Sequence, residues 1–159
     1  MTITRVDNEK AFGLCFVGKR YKNGSAWGEW WKNGWFDVLE KMPHLSAVND
    51  NGYIGLMRNG EEGFEYWIGM FFDEITDVPE GFEALEQGDR QFAVFHVYGN
   101  ESKGEIYGEA PTNACLEIMR DAGLENTKDA LRFERYNCPR YTVPEDKGNV
   151  ILDYGFAIK

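Results

Sequence analysis

Cysteine, histidine and positive charge are all scarce in this chain of 159 residues. Its 3 cysteines, Cys15, Cys115 and Cys138, are odd in number and widely spaced, so no disulfide framework or zinc site can be read from them. His44 and His96 stand alone, without a Cys or Asp cluster beside them, and no metal site is expected. Lys and Arg total 17 against 27 Asp and Glu, a formal net charge of −10. A chain so short of cations repels a polyanion, which excludes direct nucleic-acid binding and weighs against an anionic membrane surface. No apolar run approaches the roughly 18 residues a spanning helix needs. The opening segment Met1–Lys10 also lacks the apolar stretch of a signal peptide. The expected compartment is therefore cytoplasmic. Neither Gly52-Tyr-Ile-Gly55 nor Gly60-Glu-Glu-Gly63 has the strand-to-helix setting of a phosphate loop, and Cys15 and Cys138 have no evident base. No cofactor is expected.

What the chain does have is aromatic side chains: 5 Trp, 8 Tyr and 11 Phe, or 15% of all residues. Phe12, Leu14 and Phe16 alternate, as a strand requires. After a turn at 22–25, with Ser25 as a cap, residues 26–42 carry Trp27, Trp31, Trp35 and Val38 at helical spacing. A short strand at 53–57, an Asn-Gly hairpin signal and a bulky strand at 64–72 complete the first half. The second half reads as strands at 82–85 and 91–98, a helix capped by Thr112 and stopped at Gly123, then strands at 131–136 and 150–158. The order strand, helix, strand, strand thus occurs twice, in modules at about 10–75 and 80–159. The expected fold class is α+β: two such modules in a pseudo-two-fold arrangement, one antiparallel sheet, and helices flanking a groove where a small molecule could bind. The chain is read as one domain, 1–159. The runs Glu61, Glu62, Glu65 and Glu83, Glu86 are expected to form a solvated acidic rim.

Several short motifs in sequence resemble one family. Tyr66-Trp-Ile-Gly69, Val78-Pro-Glu-Gly81, Phe92-Ala-Val-Phe95 and Phe133-Glu-Arg-Tyr136, before a terminal apolar strand, are similar to the GyrI-like family. That family includes the effector-binding domain of some AraC-type and multidrug-responsive transcription regulators. The likeness covers about residues 64–158, while the first half fits by element order. Where members often carry Trp-Leu-Pro in the second helix, this chain has Cys115-Leu116-Glu117, so one pocket wall is expected to differ. The resemblance implies a stand-alone binder of bulky aromatic, cationic compounds, with the acidic position of the Phe-Glu-x-Tyr motif at Glu134. From it come the candidate ligand-binding residues Glu134 and Tyr66; Trp27, Trp31 and Trp35 share one helix face by their i, i+4 spacing, and from the aromatic surplus Trp31, Trp27 and Tyr107 join them as expected cleft residues.

A carboxylate at the base of an aromatic groove would have its pKa raised by desolvation, and a bound cation would restore the ionised form. Taken on composition alone, Glu134 is an exposed glutamate paired across the sheet with an arginine. The resemblance also implies two alternatives. Some stand-alone members hydrolyse strained cyclopropane rings of DNA-alkylating compounds, which would make Glu134 the group activating water and Tyr66 the orienting group. The family name derives from gyrase inhibition, and an acidic surface of net charge −10 can mimic DNA. A separate regulator or gyrase is the partner these readings imply.

Overall fold

The computed structural model describes residues 1–75 and 77–159. Among them the elements run β1 (Thr2–Tyr21), α1 (Trp27–Asn33), α2 (Trp35–Glu40), β2 (Gly52–Gly60), β3 (Gly63–Phe72), β4 (Glu83–Asn100), α3 (Glu109–Asp121), β5 (Arg132–Asn137) and β6 (Asn149–Ile158). Strand, helix, strand, strand therefore occurs twice. The strands are all antiparallel and close into a barrel in the order β1-β3-β2-β5-β6-β4. Exchanging β1, β2, β3 for β4, β5, β6 reproduces that order in reverse, so the pairing is symmetric between the modules. No helix among the described residues is long and apolar enough to cross a membrane.

Several boundaries differ from those read in the sequence. β1 begins at Thr2 rather than Phe12. Its first half is mostly exposed and carries Asp7 and Glu9, so no apolar alternation marks it; it is held instead by pairing Ile3–Ala11 with β4. Register shifts at Ile3/Arg5 and Ala11/Leu14 bend β1 as bulges do, letting so long a strand wrap the barrel. The separate strands expected at 82–85 and 91–98 are one element, β4, whose polar stretch 86–90 lies opposite the register shift at Ala11/Leu14. The expected single helix at 26–42 is two, because Gly34 sits in the left-handed region at φ 65°. Asn23, not Ser25, supplies the cap before α1, accepting from Ser25 N at 3.0 Å. α3 starts at Glu109, and the Thr112 hydroxyl bonds back to Gly108 O at 2.8 Å instead of capping.

The interior of the barrel is filled. Phe16, Trp67, Phe71, Phe92 and Phe133 meet there, with Phe92 and Phe133 ring centres 5.1 Å apart. A Cβ added at Gly155 would come within 2.2 Å of the Phe133 ring, so β6 makes room for that ring by having no side chain there. Polar groups close the two ends. Glu65, read in the sequence as a solvated rim residue, is instead buried: it accepts from Trp67 Nε1 at 2.9 Å and Arg58 Nε at 3.1 Å. At the other end Arg135, also buried, donates to Asp153 Oδ2 at 2.7 Å, to both Glu9 oxygens at 3.1 Å and to Val48 O at 2.8 Å. Arg140 reaches the same Asp153 from the segment after β5, at 2.9 Å to Oδ1.

Asp153 is fully buried and counters two guanidinium groups. Removing its carboxylate leaves positive charge uncompensated in the barrel end. Asp153→Ala is therefore expected to cost about 3–5 kcal/mol in urea unfolding; a loss under about 1 kcal/mol would show that Glu9, on Arg135, and Asp50, which accepts from Arg140 Nη2 at 2.7 Å, suffice.

Candidate functional site

With the barrel interior full, the space for a ligand lies outside it, between the two modules. The outer face of β5 presents Arg132, Glu134 and Tyr136, while Phe133 and Arg135 turn inward, as period-two alternation dictates. Register places Tyr136 opposite Tyr53, Glu134 between Gly55 and Tyr154, and Arg132 between Met57 and Phe156. Above the first two rows opens a cavity of about 470 Å³, lined by Trp27, Trp31, Tyr53, Tyr66, Tyr107, Glu134, Tyr136 and Tyr141, with Gly24 and Thr142 at its edge.

The five residues expected from the sequence, Glu134, Tyr66, Trp31, Trp27 and Tyr107, all lie on this one cavity. Trp35 does not join them. The left-handed turn at Gly34 swings it away, to pack edge-on against Trp30 and beneath Lys19, whose Nζ is 4.1 Å from the ring centre. Trp30, not one of the striped tryptophans, is the fully buried one. Tyr53, Tyr136 and Tyr141 were not among the expected residues. Tyr136 could have been found, because it follows Glu134 by one strand period. Tyr53 becomes a neighbour only through β2–β5 pairing, and Tyr141 lies in a segment with no periodic signal.

The aromatic wall is continuous across the modules. Trp31 packs on Tyr53 at 4.9 Å between ring centres, Tyr53 on Phe36 at 4.5 Å, and Phe36 on Trp27 at 5.8 Å. Trp27 then meets Tyr136 at 4.7 Å, and Tyr136 meets Tyr141 at 4.8 Å. Stacked, tilted and edge-to-face contacts of this kind hold rings in fixed orientations. Trp31, 55% exposed, stands at the mouth.

The polar edges of these rings are largely satisfied from behind. Trp27 Nε1 donates to Tyr66 Oη at 2.9 Å, and Tyr136 Oη donates to Glu134 Oε2 at 2.7 Å. Tyr107 Oη donates to Glu101 Oε1 at 3.3 Å and lies 2.5 Å from Tyr141 Oη. Burial, followed by the nearby Glu134 charge, pushes the Tyr66 and Tyr136 hydroxyls well above the usual phenol range. Burial does the same for Tyr53 and Tyr107. These phenols stay neutral at physiological pH. Burial raises the Glu134 carboxyl above its usual range, against the opposing pull of the Tyr136 hydrogen bond and the Arg132 charge. The only acid among the cavity-lining residues is thus a carboxylate deprived of water, amid neutral rings.

The remaining candidates lie elsewhere. His96 sits in the polar barrel end, 3.8 Å from Asp153 Oδ1 and 3.9 Å from Asp7 Oδ2, and desolvation lowers its pKa. Cys115, on the buried face of α3, has its thiol pushed up to about 12 by burial, so it stays protonated.

No family model matches the chain, and no curated protein does. Solved structures share its fold. SAV2435, solved bound to tetraphenylphosphonium, superposes with a TM-score of 0.70 at 17% identity, over 98% of this chain and 94% of that one. A Staphylococcus aureus MU50 protein proposed to act in bacterial transcription regulation gives 0.60 at 16% identity, over 98% of each chain. The C-terminal domain of EcmrR gives 0.58 at 10% identity, over 98% of this chain and 97% of that one. At these identities the likeness is one of fold.

Gly55 lets the site exist. A Cβ there would come within 2.5 Å of Tyr66 Oη and 3.2 Å of the Trp27 ring. Gly55→Ala is expected to push the two apart and cost about 1–3 kcal/mol by overpacking. The Trp27 indole N–H resonance in an NMR spectrum should move while the Trp67 resonance, inside the barrel, stays. An unmoved Trp27 signal would show that Tyr66 needs no such space.

Proposed function

We propose that this chain is a small-molecule binding protein for bulky, apolar aromatic cations, which it takes into the cavity above Glu134. The observation that carries this reading is a single desolvated carboxylate at the floor of a cavity otherwise walled by neutral aromatic rings. A cavity of about 470 Å³ is in the size range of small-molecule sites, roughly 300–1,000 Å³. Ring faces attract a cation by about 0.5–2 kcal/mol each, most where water is excluded.

The choice between cations follows from hydration. A small, strongly hydrated ammonium would lose its water shell on entry and find few replacement partners. A lipophilic cation, its charge shielded by its own rings, loses little and gains burial of apolar area at about 25 cal/mol per Å². The wall suits such a guest, since Tyr136 and Tyr107 already donate to Glu134 and Glu101 and turn oxygen lone pairs rather than protons outward. That SAV2435, of the same fold, was solved with tetraphenylphosphonium supports the reading.

Tetraphenylphosphonium titrated against tryptophan fluorescence tests the charge role. Glu134→Gln is expected to weaken binding at least about tenfold, or 1.4 kcal/mol. Equal affinities of wild type and variant would remove Glu134 from the site.

The pH dependence has a definite sign. In the free protein the Glu134 pKa is raised, and a bound cation lowers it again by favouring the ionised form. Between those two values binding expels a proton, so affinity should rise with pH and level off above the raised value. Calorimetry in buffers of different ionisation enthalpy should detect that proton. Stability runs the other way. The folded free protein holds this proton more tightly than the unfolded chain, so stability falls as pH climbs from the ordinary carboxylate range through the raised value. Above the raised value Glu134→Gln should consequently melt higher than wild type. An unchanged or lower Tm would contradict the desolvation of Glu134.

A further inference from the structure

One row beyond Glu134, the outer face of β5 changes sign. Arg132 lies between Met57 and Phe156, both buried, and lines a second cavity of about 270 Å³ with Phe64, Leu116 and Asn126. The other partly or fully buried arginines around the barrel each hold a carboxylate: Arg58 with Glu65, Arg90 with Asp129, Arg135 and Arg140 with Asp153. Arg132 forms no ion pair among the described residues, in a chain with 27 acids to 17 bases. Its guanidinium donates one hydrogen bond, from Nη1 to Thr112 Oγ1 at 3.3 Å. The acid next along the same face, Glu134, stands one strand period away, about 7 Å, and accepts from Tyr136.

We infer that this second cavity binds an apolar anion, an aromatic or aliphatic carboxylate or sulfonate, with Arg132 meeting its charged group. A planar guanidinium with free N–H groups matches a carboxylate or sulfonate in two-pronged fashion. Met57, Phe64, Leu116 and Phe156 supply the apolar bed for the remainder. Asn59 and Asn126 add amide donors at the rim. Arg58 is already engaged by Glu65. Glu109, exposed, lines a polar trough with Thr112, Asn113, Glu134 and the other side of Arg132. Glu134 keeps anions out of the first cavity, and the apolar bed holds the body of an anion on the side of Arg132 away from both acids.

The two sites are then coupled. While Glu134 is ionised and unpartnered, its charge opposes an anion at Arg132. A cation bound over Glu134 cancels that opposition, and by linkage the anion strengthens the cation to the same degree. The coupling rests on the reading of Glu134 given above; the anion site itself does not.

The probe is 8-anilinonaphthalene-1-sulfonate, followed by its own fluorescence on the intact folded chain. Wild type should bind it at one site, Arg132→Gln should bind it about tenfold more weakly, and Arg132→Lys, which keeps the charge but loses the two-pronged fork, should recover only part of the loss. Saturating tetraphenylphosphonium should leave the sulfonate bound and several-fold tighter, whereas unchanged affinity would remove the coupling and leave the anion site standing. Equal binding by wild type and Arg132→Gln overturns the proposal, as does one-for-one displacement by tetraphenylphosphonium, which would place the sulfonate in the first cavity. Tetraphenylphosphonium titrated alone reports on the Glu134 reading, so a failure of one is not a failure of the other.

Discussion

The register of one six-residue strand, β5, sets both the core and the site. Phe133 and Arg135 point inward, one completing the aromatic filling and the other anchoring the polar end through Asp153 and Glu9. Arg132, Glu134 and Tyr136 consequently point outward, between the helices of the two modules. A slip of one residue would exchange the two sets, burying Glu134 among phenylalanines and exposing Phe133. The buried ion pairs of Arg135 forbid that slip more firmly than apolar packing would. A misplaced phenylalanine loses some burial, whereas the slip would leave Asp153 buried without the Arg135 guanidinium and put the Glu134 carboxylate among rings.

Closure of the sheet decides where a ligand can go. Small barrels are filled by their own side chains, and here five aromatic rings do the filling. A guest must therefore use the outer surface, where β5 and β2 form a floor and the modules supply opposite walls, α1 on one side and the segments around Tyr107 and Tyr141 on the other. The glycine on β2 opposite Glu134 matters in the same way. By offering no side chain, Gly55 lets Tyr66 and Trp27 close over the floor from the neighbouring strand and helix. The same two-module symmetry that closes the barrel thus leaves one shared trough.

Much of this was legible in the sequence and the rest was hidden for identifiable reasons. Element order showed because β2, β3, β5, β6 and the later part of β4 carry apolar residues with strand periodicity. The first half of β1 did not show, since its inward positions Asp7 and Glu9 serve the polar barrel end rather than the apolar core. Periodicity reports burial in oil, not burial in salt bridges. Glu65 was misplaced for the same cause, its surroundings being Arg58 and Trp67 rather than water. The stripe Trp27, Trp31, Trp35 looked uniform because helical spacing carries through Gly34 on paper, while the left-handed turn at that residue rotates everything after it. Of the cavity, the residues carried by the family resemblance came together, and those brought in by cross-strand pairing, Tyr53 above all, required the fold.

The chain's acidity also takes a different meaning once its acids are placed. Asp153, Glu9, Glu65 and Asp129 are bound to arginines and contribute structure, not field. What distinguishes Glu134 is the pairing it lacks. Its neighbour Arg132 stands one row off, close enough to favour its ionised form and too far to neutralise it. Moved one row closer, Arg132 would form an ordinary ion pair and leave no vacancy for a cation; removed, it would let the carboxyl hold its proton to higher pH. A receptor for a lipophilic cation needs a carboxylate that ionises when the guest arrives and is poorly satisfied until then. The spacing Arg132-x-Glu134-x-Tyr136 on one face of a strand, with a hydroxyl donor above and a guanidinium below, holds it between those limits.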